Sequence, residues 1–251
     1  SPPASCAISR EGLTSIGCLF LVVDKYSGIT AIPGKTPRPS CGPSPSILFL
    51  SCLKGSSCSY LTVTFYLTLK VTVLGSGSGG NCTLVSTGET CVLIDLGFGP
   101  RSLARRFRES NLAETHIDAV LLTHGHLDHS IGVPSFVRNK KIPVYMSQGT
   151  RKEATGLQEI ENWQSLVSET SVHIKDLEIE PFSISHDALQ PMGFRLSAGG
   201  KCGAVATDLG ELSPTVKSKI NDCDWLVLES NHDADHDGGG AARTLLHTRP
   251  L

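Results

Sequence analysis

Four side chains that can bind metal ions lie close together near the middle of the chain. They are His124, His126, Asp128 and His129, within the segment LLTHGHLDH at residues 121–129. Imidazole nitrogens and carboxylate oxygens are ligands for zinc, iron and manganese. In an extended or tightly turned segment, His124 and His126 point to the same side and can bind one ion. Asp128 and His129 follow the turn and can face a second ion. The alternative interpretation is a solvated polar loop after a strand, which would not require these residue types at these positions.

The residues before this segment predict where it lies in the fold. Residues 117–122 form an apolar run that is typical of a buried parallel strand. A polar loop that follows such a strand lies at the carboxyl edge of its sheet, where open α/β folds bind their ligands. The chemistry is therefore predicted to take place at a sheet edge.

Three further residues with suitable chemistry end other apolar runs. His186 follows a strand-like run, Asp208 ends the second arm of a predicted hairpin, and Asp95 ends the run in LIDLG. A single histidine in this setting is more often a hydrogen-bonded surface or core residue than a ligand. Asp95 either caps a turn or accepts a hydrogen bond from the far nitrogen of a ligand histidine.

The composition divides the chain into three parts. Residues 1–69 are rich in serine, proline and glycine and contain no histidine, so we predict a poorly ordered or artefactual extension. Its apolar patches are shorter than the roughly 20 residues that a membrane helix needs. Residues 70–233 are predicted to form the functional domain, and residues 234–251 a divergent tail.

Strands and helices alternate after residue 70, which is an α/β pattern. Residues 71–94 predict a β-meander around a glycine-rich loop, which lacks the Gly-Lys-Ser/Thr ending of a nucleotide-binding P-loop. A hairpin is predicted at residues 192–207. Helices are predicted at residues 100–111, 131–137, 149–168 and 212–220.

Charge and cysteine content limit the possible partners and compartments. The formal net charge is −2, so no global field attracts nucleic acid. The arginines of the helix at 100–111 are either a solvated surface or a patch that steers phosphates. The five cysteines of residues 1–69 have no CxxC spacing, which argues against a zinc ribbon or redox motif there. The four cysteines of the domain mostly lie in apolar strand-like runs, so we predict buried reduced thiols, a reducing compartment and a cytoplasmic location.

The motif HxHxDH at residues 124–129 resembles the signature of the metallo-β-lactamase fold superfamily. The segments LGSGSGGN, LIDLG, SHDALQPMGF, ATDLG and LESNHD resemble the YycJ (WalJ) branch of that superfamily. This branch is similar to phosphodiesterases of the RNase Z and PhnP type. The resemblance implies an α/β fold in which two sheets pack between helices as an αββα four-layer sandwich.

The same resemblance implies a role for each candidate residue. His124, His126 and His186 would hold one divalent ion, and Asp128, His129 and Asp208 most of a second one. Asp208 matches a carboxylate that bridges the two ions. Asp95 and Glu229 would orient the ligands, and the catalytic roles would fall to Asp128 and His232.

The resemblance further implies a hydrolase with two divalent ions, zinc or manganese, that activate a water molecule against a phosphodiester in single-stranded DNA. A thioester or lactam hydrolase with the same metals is one alternative, and a truncated, inactive metal-binding module is another. The family supplies a last histidine after LESNHD, and the sequence departs from the family near residue 234. We therefore expect an incomplete carboxyl-terminal end and a weak second site, unless His232, His236 or His247 substitutes.

Overall fold

The computed structural model describes residues 69–230 and four earlier strands, and it describes side chains from residue 69 to residue 228. The histidines 232, 236 and 247 and the predicted tail at 234–251 lie outside the described residues. The side chain of Glu229 does as well, although its backbone belongs to the last strand.

Within the described residues, fifteen strands form two mixed sheets. In the seven-stranded sheet the order is β11 (Val172–Ile174), β12 (Leu177–Ser183), β13 (Met192–Ala198), β14 (Lys201–Ala206), β15 (Trp225–Ser230), β1 (Cys18–Asp24) and β2 (Gly28–Gly34). In the eight-stranded sheet the order is β10 (Trp163–Ser165), β9 (Val144–Met146), β8 (Ala119–Leu121), β7 (Cys91–Ile94), β6 (Cys82–Ser86), β5 (Leu69–Gly75), β4 (Leu61–Phe65) and β3 (Ile47–Cys52).

Five helices connect or cover the strands within the described part of the chain. They are α1 (Pro100–Glu109), α2 (Leu127–Ser130), α3 (Val133–Val137), α4 (Gln148–Glu153) and α5 (Pro214–Ile220). None of these helices has the length and apolar character that crossing a membrane requires. The predicted cytoplasmic location stays a prediction.

Apolar residues fill the three interfaces between the four layers of the predicted αββα sandwich. Between the sheets, Val92 and Leu121 pack in one cluster with Phe194 and Trp225 of the opposite sheet. A second cluster joins the other face of the eight-stranded sheet to α1 and α3, and a third joins the seven-stranded sheet to α5. Burial of these faces from water is the main force that holds the four layers together.

Most of the predicted elements are present. The strand predicted at 117–122 is β8, which is fully buried and pairs in parallel with β7 and β9. The predicted hairpin is β13 and β14, which pair antiparallel. The parallel strands β7, β8 and β14 end close to the residues predicted to do chemistry.

The long helix predicted at 149–168 was wrong. Only α4 is helical there, and the chain then turns through Gly156, whose φ is +84°, before it forms β10. Leu157 and Ile160 are buried, but the backbone N–H of each bonds the carbonyl three residues earlier. A helical spacing of apolar residues was thus produced by successive turns.

Four strands lie in the region predicted to be an extension. β1 pairs in parallel with β15 and antiparallel with β2, and β4 pairs antiparallel with β5 and β3. The division of the chain at residues 69 and 233 stays a prediction.

Candidate metal centre

The candidate site lies where strands of both sheets end. His124 and His126 follow β8, and Asp95 follows β7, its parallel neighbour. From the other sheet, His186 follows β12 and Asp208 follows β14. The fold therefore brings together residues that are distant in sequence, because the strand ends face each other across the two sheets.

Three histidines converge at one side of the site. Ligand atoms of His124, His126 and His186 all lie within 4.8 Å of one another. Nε2 of His186 is 3.2 Å from Nδ1 of His126. The ring of His124 lies 4.7 Å from that of His126 and 4.6 Å from that of His186, measured between centroids. Such a group of imidazoles suits a divalent metal ion.

A second group shares His124 with the first. Ligand atoms of His124, His129 and Asp208 also lie within 4.8 Å of one another. Oδ2 of Asp208 is 2.7 Å from Nε2 of His129 and 3.5 Å from Nε2 of His124. A single carboxylate oxygen therefore faces both rings.

Asp95 and Thr123 hold the far sides of these two rings. Oδ2 of Asp95 is 2.9 Å from Nδ1 of His129, and Oγ1 of Thr123 is 3.0 Å from Nδ1 of His124. The Thr123 hydroxyl also donates to Asp95. Nδ1 of each ring is therefore held by a partner on the side away from Asp208, and Nε2 of each ring is directed toward the Asp208 carboxylate.

Burial and neighbouring charges shift the pKa values of this group in opposite directions. Burial, reinforced by the charge of His129, lowers the pKa of His124. Burial also lowers the pKa of His186. Burial opposes the charge on His129, but Asp95 and Asp208 outweigh it and raise the pKa of His129. His124 is thus neutral, the form in which imidazole binds metals.

The glycine-rich loop supports the site. Asn81, which ends this loop, has its Nδ2 atom 2.9 Å from Nε2 of His129. Its backbone N–H donates to the carbonyl of Asp128 at 2.7 Å, and its Oδ1 accepts from Gly77 at 3.0 Å. The loop therefore positions residues of α2.

Gly97 allows this close approach. A Cβ atom on Gly97 would lie 1.7 Å from the carbonyl oxygen of Asp128.

Two residues of the site have left-handed backbones, with φ of 60° at Asp95 and 51° at Asp208. Aspartate adopts this conformation more readily than most residues, and both examples end a strand and turn a carboxylate into the site.

Sequence reasoning missed the contacts of Thr123 and Asn81. Thr123 could have been noticed as a polar residue between a buried strand and the first histidine, and Asn81 as the last residue of a quoted motif. Neither position carries a signal of its own, because Asp95 lies 28 residues from Thr123 and His129 lies 48 residues from Asn81 along the chain.

Some of the predicted site residues are not part of the two converging groups. Asp128 is outside both three-residue groups, although its Oδ2 lies 3.7 Å from Nε2 of His129 and its side chain is 35% exposed. The side chains of Glu229 and His232 are outside the described residues. In α1, whose arginines were interpreted as either a solvated surface or a patch that steers phosphates, Arg106 packs over Phe98 and donates to the carbonyl of Leu74.

Comparison with known families agrees with this geometry. A family model described as a beta-lactamase superfamily domain matches residues 90–247. The chain belongs to this superfamily. The matched range in this superfamily member starts just before β7 and continues past Asp233, where the motifs quoted above end.

Two relatives of this superfamily member are named as nucleases. Exodeoxyribonuclease YycJ of Bacillus anthracis is 32% identical over 171 residues, which cover 66% of this chain and 64% of the relative. Exodeoxyribonuclease WalJ of Streptococcus pneumoniae is 29% identical over the same length and coverage. The chain thus spans less than two thirds of the length of these relatives.

A solved structure supports the fold assignment. The metallo-beta-lactamase fold protein YhfI from Bacillus subtilis is 19% identical, with a TM-score of 0.53 over 68% of this chain and 74% of YhfI. This likeness shows the fold of the superfamily member, and the predicted α/β metallo-β-lactamase fold is confirmed.

Proposed function

We propose that this chain is a metal-dependent hydrolase that cleaves phosphodiester bonds in nucleic acid, with single-stranded DNA as its substrate. The observation that supports a hydrolase is the pair of three-residue groups that share His124. Two such groups suit two divalent ions, for which we propose zinc or manganese. The choice of DNA is supported by the relatives named exodeoxyribonucleases.

The surroundings of one ring nitrogen indicate whether these residues suit a metal ion. Nε2 of His124 is buried and makes no hydrogen bond to any described residue. A buried polar atom without a partner costs about 1–3 kcal/mol. A divalent ion would accept the lone pair of this nitrogen and offset that cost, so the donor set fits a metal.

The assignment of ligands that we propose follows the resemblance, and the converging groups support it for every residue except Asp128. His124, His126 and His186 would hold the first ion, and Asp128, His129 and Asp208 would hold the second. Asp208 is suited to contact both ions, because one of its oxygens faces His124 and His129 together.

The metals and the protein would contribute different parts of the reaction. When bound, divalent ions polarise a phosphate oxygen and lower the pKa of an attacking water. Asp128 would accept the proton of that water at its partly exposed carboxylate. Thr123 and Asp95 keep the rings of His124 and His129 in place, so neither ring needs to turn when substrate binds. His232 remains the proposal from the resemblance for a second catalytic group.

An assay with matched substrates tests the proposed function. Full-length protein is stripped with a chelator, reloaded with Zn²⁺ or Mn²⁺, and incubated with end-labelled single-stranded DNA, duplex DNA, a thioester and a β-lactam. We expect metal-dependent shortening of the single strand, and much slower loss of the duplex.

Two results of this assay would contradict the proposed function. Turnover of the thioester or the β-lactam without cleavage of DNA would assign another hydrolase activity. Binding of metal without turnover of any substrate would indicate an inactive metal-binding module. His173→Ala is a suitable control, because His173 is exposed on β11 and belongs to neither group.

A further inference from the structure

Two cysteines lie at the end of the seven-stranded sheet that is opposite the metal centre. Cys202 is the second residue of β14, whereas Asp208 follows the end of that strand. Cys223 precedes β15, which runs parallel to β14 and pairs with it. Cys223 is buried in the apolar cluster under α5, and Cys202 is partly buried against the same cluster.

One arginine contacts both sulfur atoms. Nη2 of Arg195 donates to Sγ of Cys202 at 3.3 Å, and Nη1 donates to Sγ of Cys223 at 3.4 Å. Sγ of Cys202 also donates to the carbonyl of Asp222 at 3.3 Å, and Sγ of Cys223 donates to the carbonyl of Lys219 at 3.4 Å. Because a planar guanidinium reaches both sulfurs, they are held side by side, and both cysteines are free thiols.

The surrounding groups make the two thiols unequal. The contact with Cys223 lowers the pKa of Cys202 to about 6, against burial and with help from the Arg195 charge. The same contact, together with burial, raises the pKa of Cys223. The Asp224 carboxylate accepts from the backbone N–H of Cys202 and is paired with Lys201, while Lys219 of α5 is paired with Glu180.

The other described cysteines lack these features. Cys82 and Cys91 are buried in the cluster that packs against α1. Burial raises the pKa of both thiols. A thiol that stays protonated and inaccessible reacts slowly with oxidants. Cys82 and Cys91 therefore serve as internal controls for Cys202 and Cys223.

We propose that Cys202 and Cys223 form a peroxide-sensitive thiol pair that closes into a disulfide. The Cys202 thiolate would attack one oxygen of a hydroperoxide, the O–O bond would break, and Cys202 would become a sulfenic acid as hydroxide or alkoxide leaves. Cys223 would then attack the sulfenic sulfur, so that an S–S bond forms and the S–O bond breaks. The released hydroxide takes the Cys223 proton to give water. In total, two thiols lose two electrons to one peroxide.

Peptide mapping of the full-length protein tests this proposal. Reduced protein is treated with stoichiometric hydrogen peroxide, blocked with an alkylating agent under denaturing conditions, and digested with trypsin. Cys202 and Cys223 fall in separate tryptic peptides, 202–217 and 220–243. We expect these two peptides to become linked, with loss of two hydrogens, before Cys82 or Cys91 is oxidised. Oxidation of Cys202 to a sulfinic acid with Cys223 still free would overturn the proposal.

Single variants separate the two steps. With Cys223→Ser, we expect a sulfenic acid at Cys202 that dimedone traps, and with Cys202→Ser we expect neither trapping at residue 223 nor linkage. If Cys223→Ser gives no dimedone adduct while Cys82 or Cys91 does, the proposal fails.

The pH profile of alkylation provides a second measurement. In the unaltered protein, the rate at Cys202 should have its midpoint near pH 6. Arg195→Met should move this midpoint upward, toward the value of about 8.5 that is usual for a free thiol. A midpoint near the usual value in the unaltered protein would overturn the proposal even if Arg195→Met does not fold.

Discussion

Oδ2 of Asp95 lies 2.9 Å from Nδ1 of His129, and both side chains are buried. The contact fixes which nitrogen of His129 faces the site, because Nδ1 is occupied and Nε2 is left toward Asp208. A carboxylate that ends one strand thus sets the orientation of a histidine on the helix that follows the next strand.

Asp95→Asn should weaken metal binding more than it disturbs the fold. We expect metal affinity to fall by about 10–100-fold. The free energy of unfolding should fall by about 1–3 kcal/mol, since a buried hydrogen-bond network is altered. Competition with a chelator and urea denaturation measure the two effects. Asp118→Asn is the matched control, because Asp118 accepts hydrogen bonds from Cys91 and Lys175 away from the site. Equal losses of metal affinity in both variants would contradict a specific role for Asp95.

His126→Ala should remove metal binding and hydrolysis while the fold remains. His126 belongs to a loop and is only partly buried, so its loss removes a ligand rather than core packing. We expect activity to fall by at least about 100-fold, and His173→Ala to behave like the unaltered protein. Elemental analysis and circular dichroism check metal content and fold. Two ions per chain in the His126→Ala variant would refute the assignment.

The two sites should differ in affinity. Three imidazoles converge at the first site, whereas the second group shares His124 and leaves Asp128 farther away and partly exposed. Calorimetric titration of metal-free protein should therefore resolve a tight and a weaker class of binding, and activity should rise as the weaker site fills with Mn²⁺ or Zn²⁺. Asp208→Asn should weaken or abolish the second class. Two tight, equivalent sites would contradict this prediction.

Gly97→Ala should displace the segment that carries Asp128 and His129. The added Cβ would collide with backbone, which cannot move aside as a side chain can. We expect a loss of unfolding free energy of about 1–3 kcal/mol or more, together with reduced metal affinity. Gly88→Ala is the control, since its Cβ would meet no atom within 4 Å and should change stability by less than about 0.5 kcal/mol. Equal stabilities in urea denaturation would show that the close approach at Gly97 is not required.

Limited proteolysis should cleave first within residues 1–69. Their composition buries little apolar surface to offset a chain entropy of about 1–2 kcal/mol per ordered residue. Mass spectrometry of the early fragments identifies the cut sites. The structure pairs β1 with β15, and this pairing would protect residues 18–24 from early cleavage. A resistant fragment that begins well before Lys70 would contradict the prediction and mean that strands of this region belong to the folded domain.

Features that depend on residues close together along the chain could be predicted before the fold was known. The apolar run before His124 was enough to place β8, and the turn residues 199 and 200 marked the hairpin of β13 and β14. The spacing of His124, His126 and His129 also predicted metal chemistry, because residue types and short distances along the chain are visible in the sequence. Local spacing failed at residues 149–168, where successive turns imitate a helix.

Which distant residues come into contact depends on the three-dimensional fold. His126 and His186 are 60 residues apart, and Asn81 and His129 are 48 apart, yet each pair is in contact. Thr123 gains its role only because β7 and β8 are parallel neighbours, so that Asp95 lies beside it. Such contacts depend on the pairing of strands and on the packing of one sheet against the other, neither of which has a local signature in the chain.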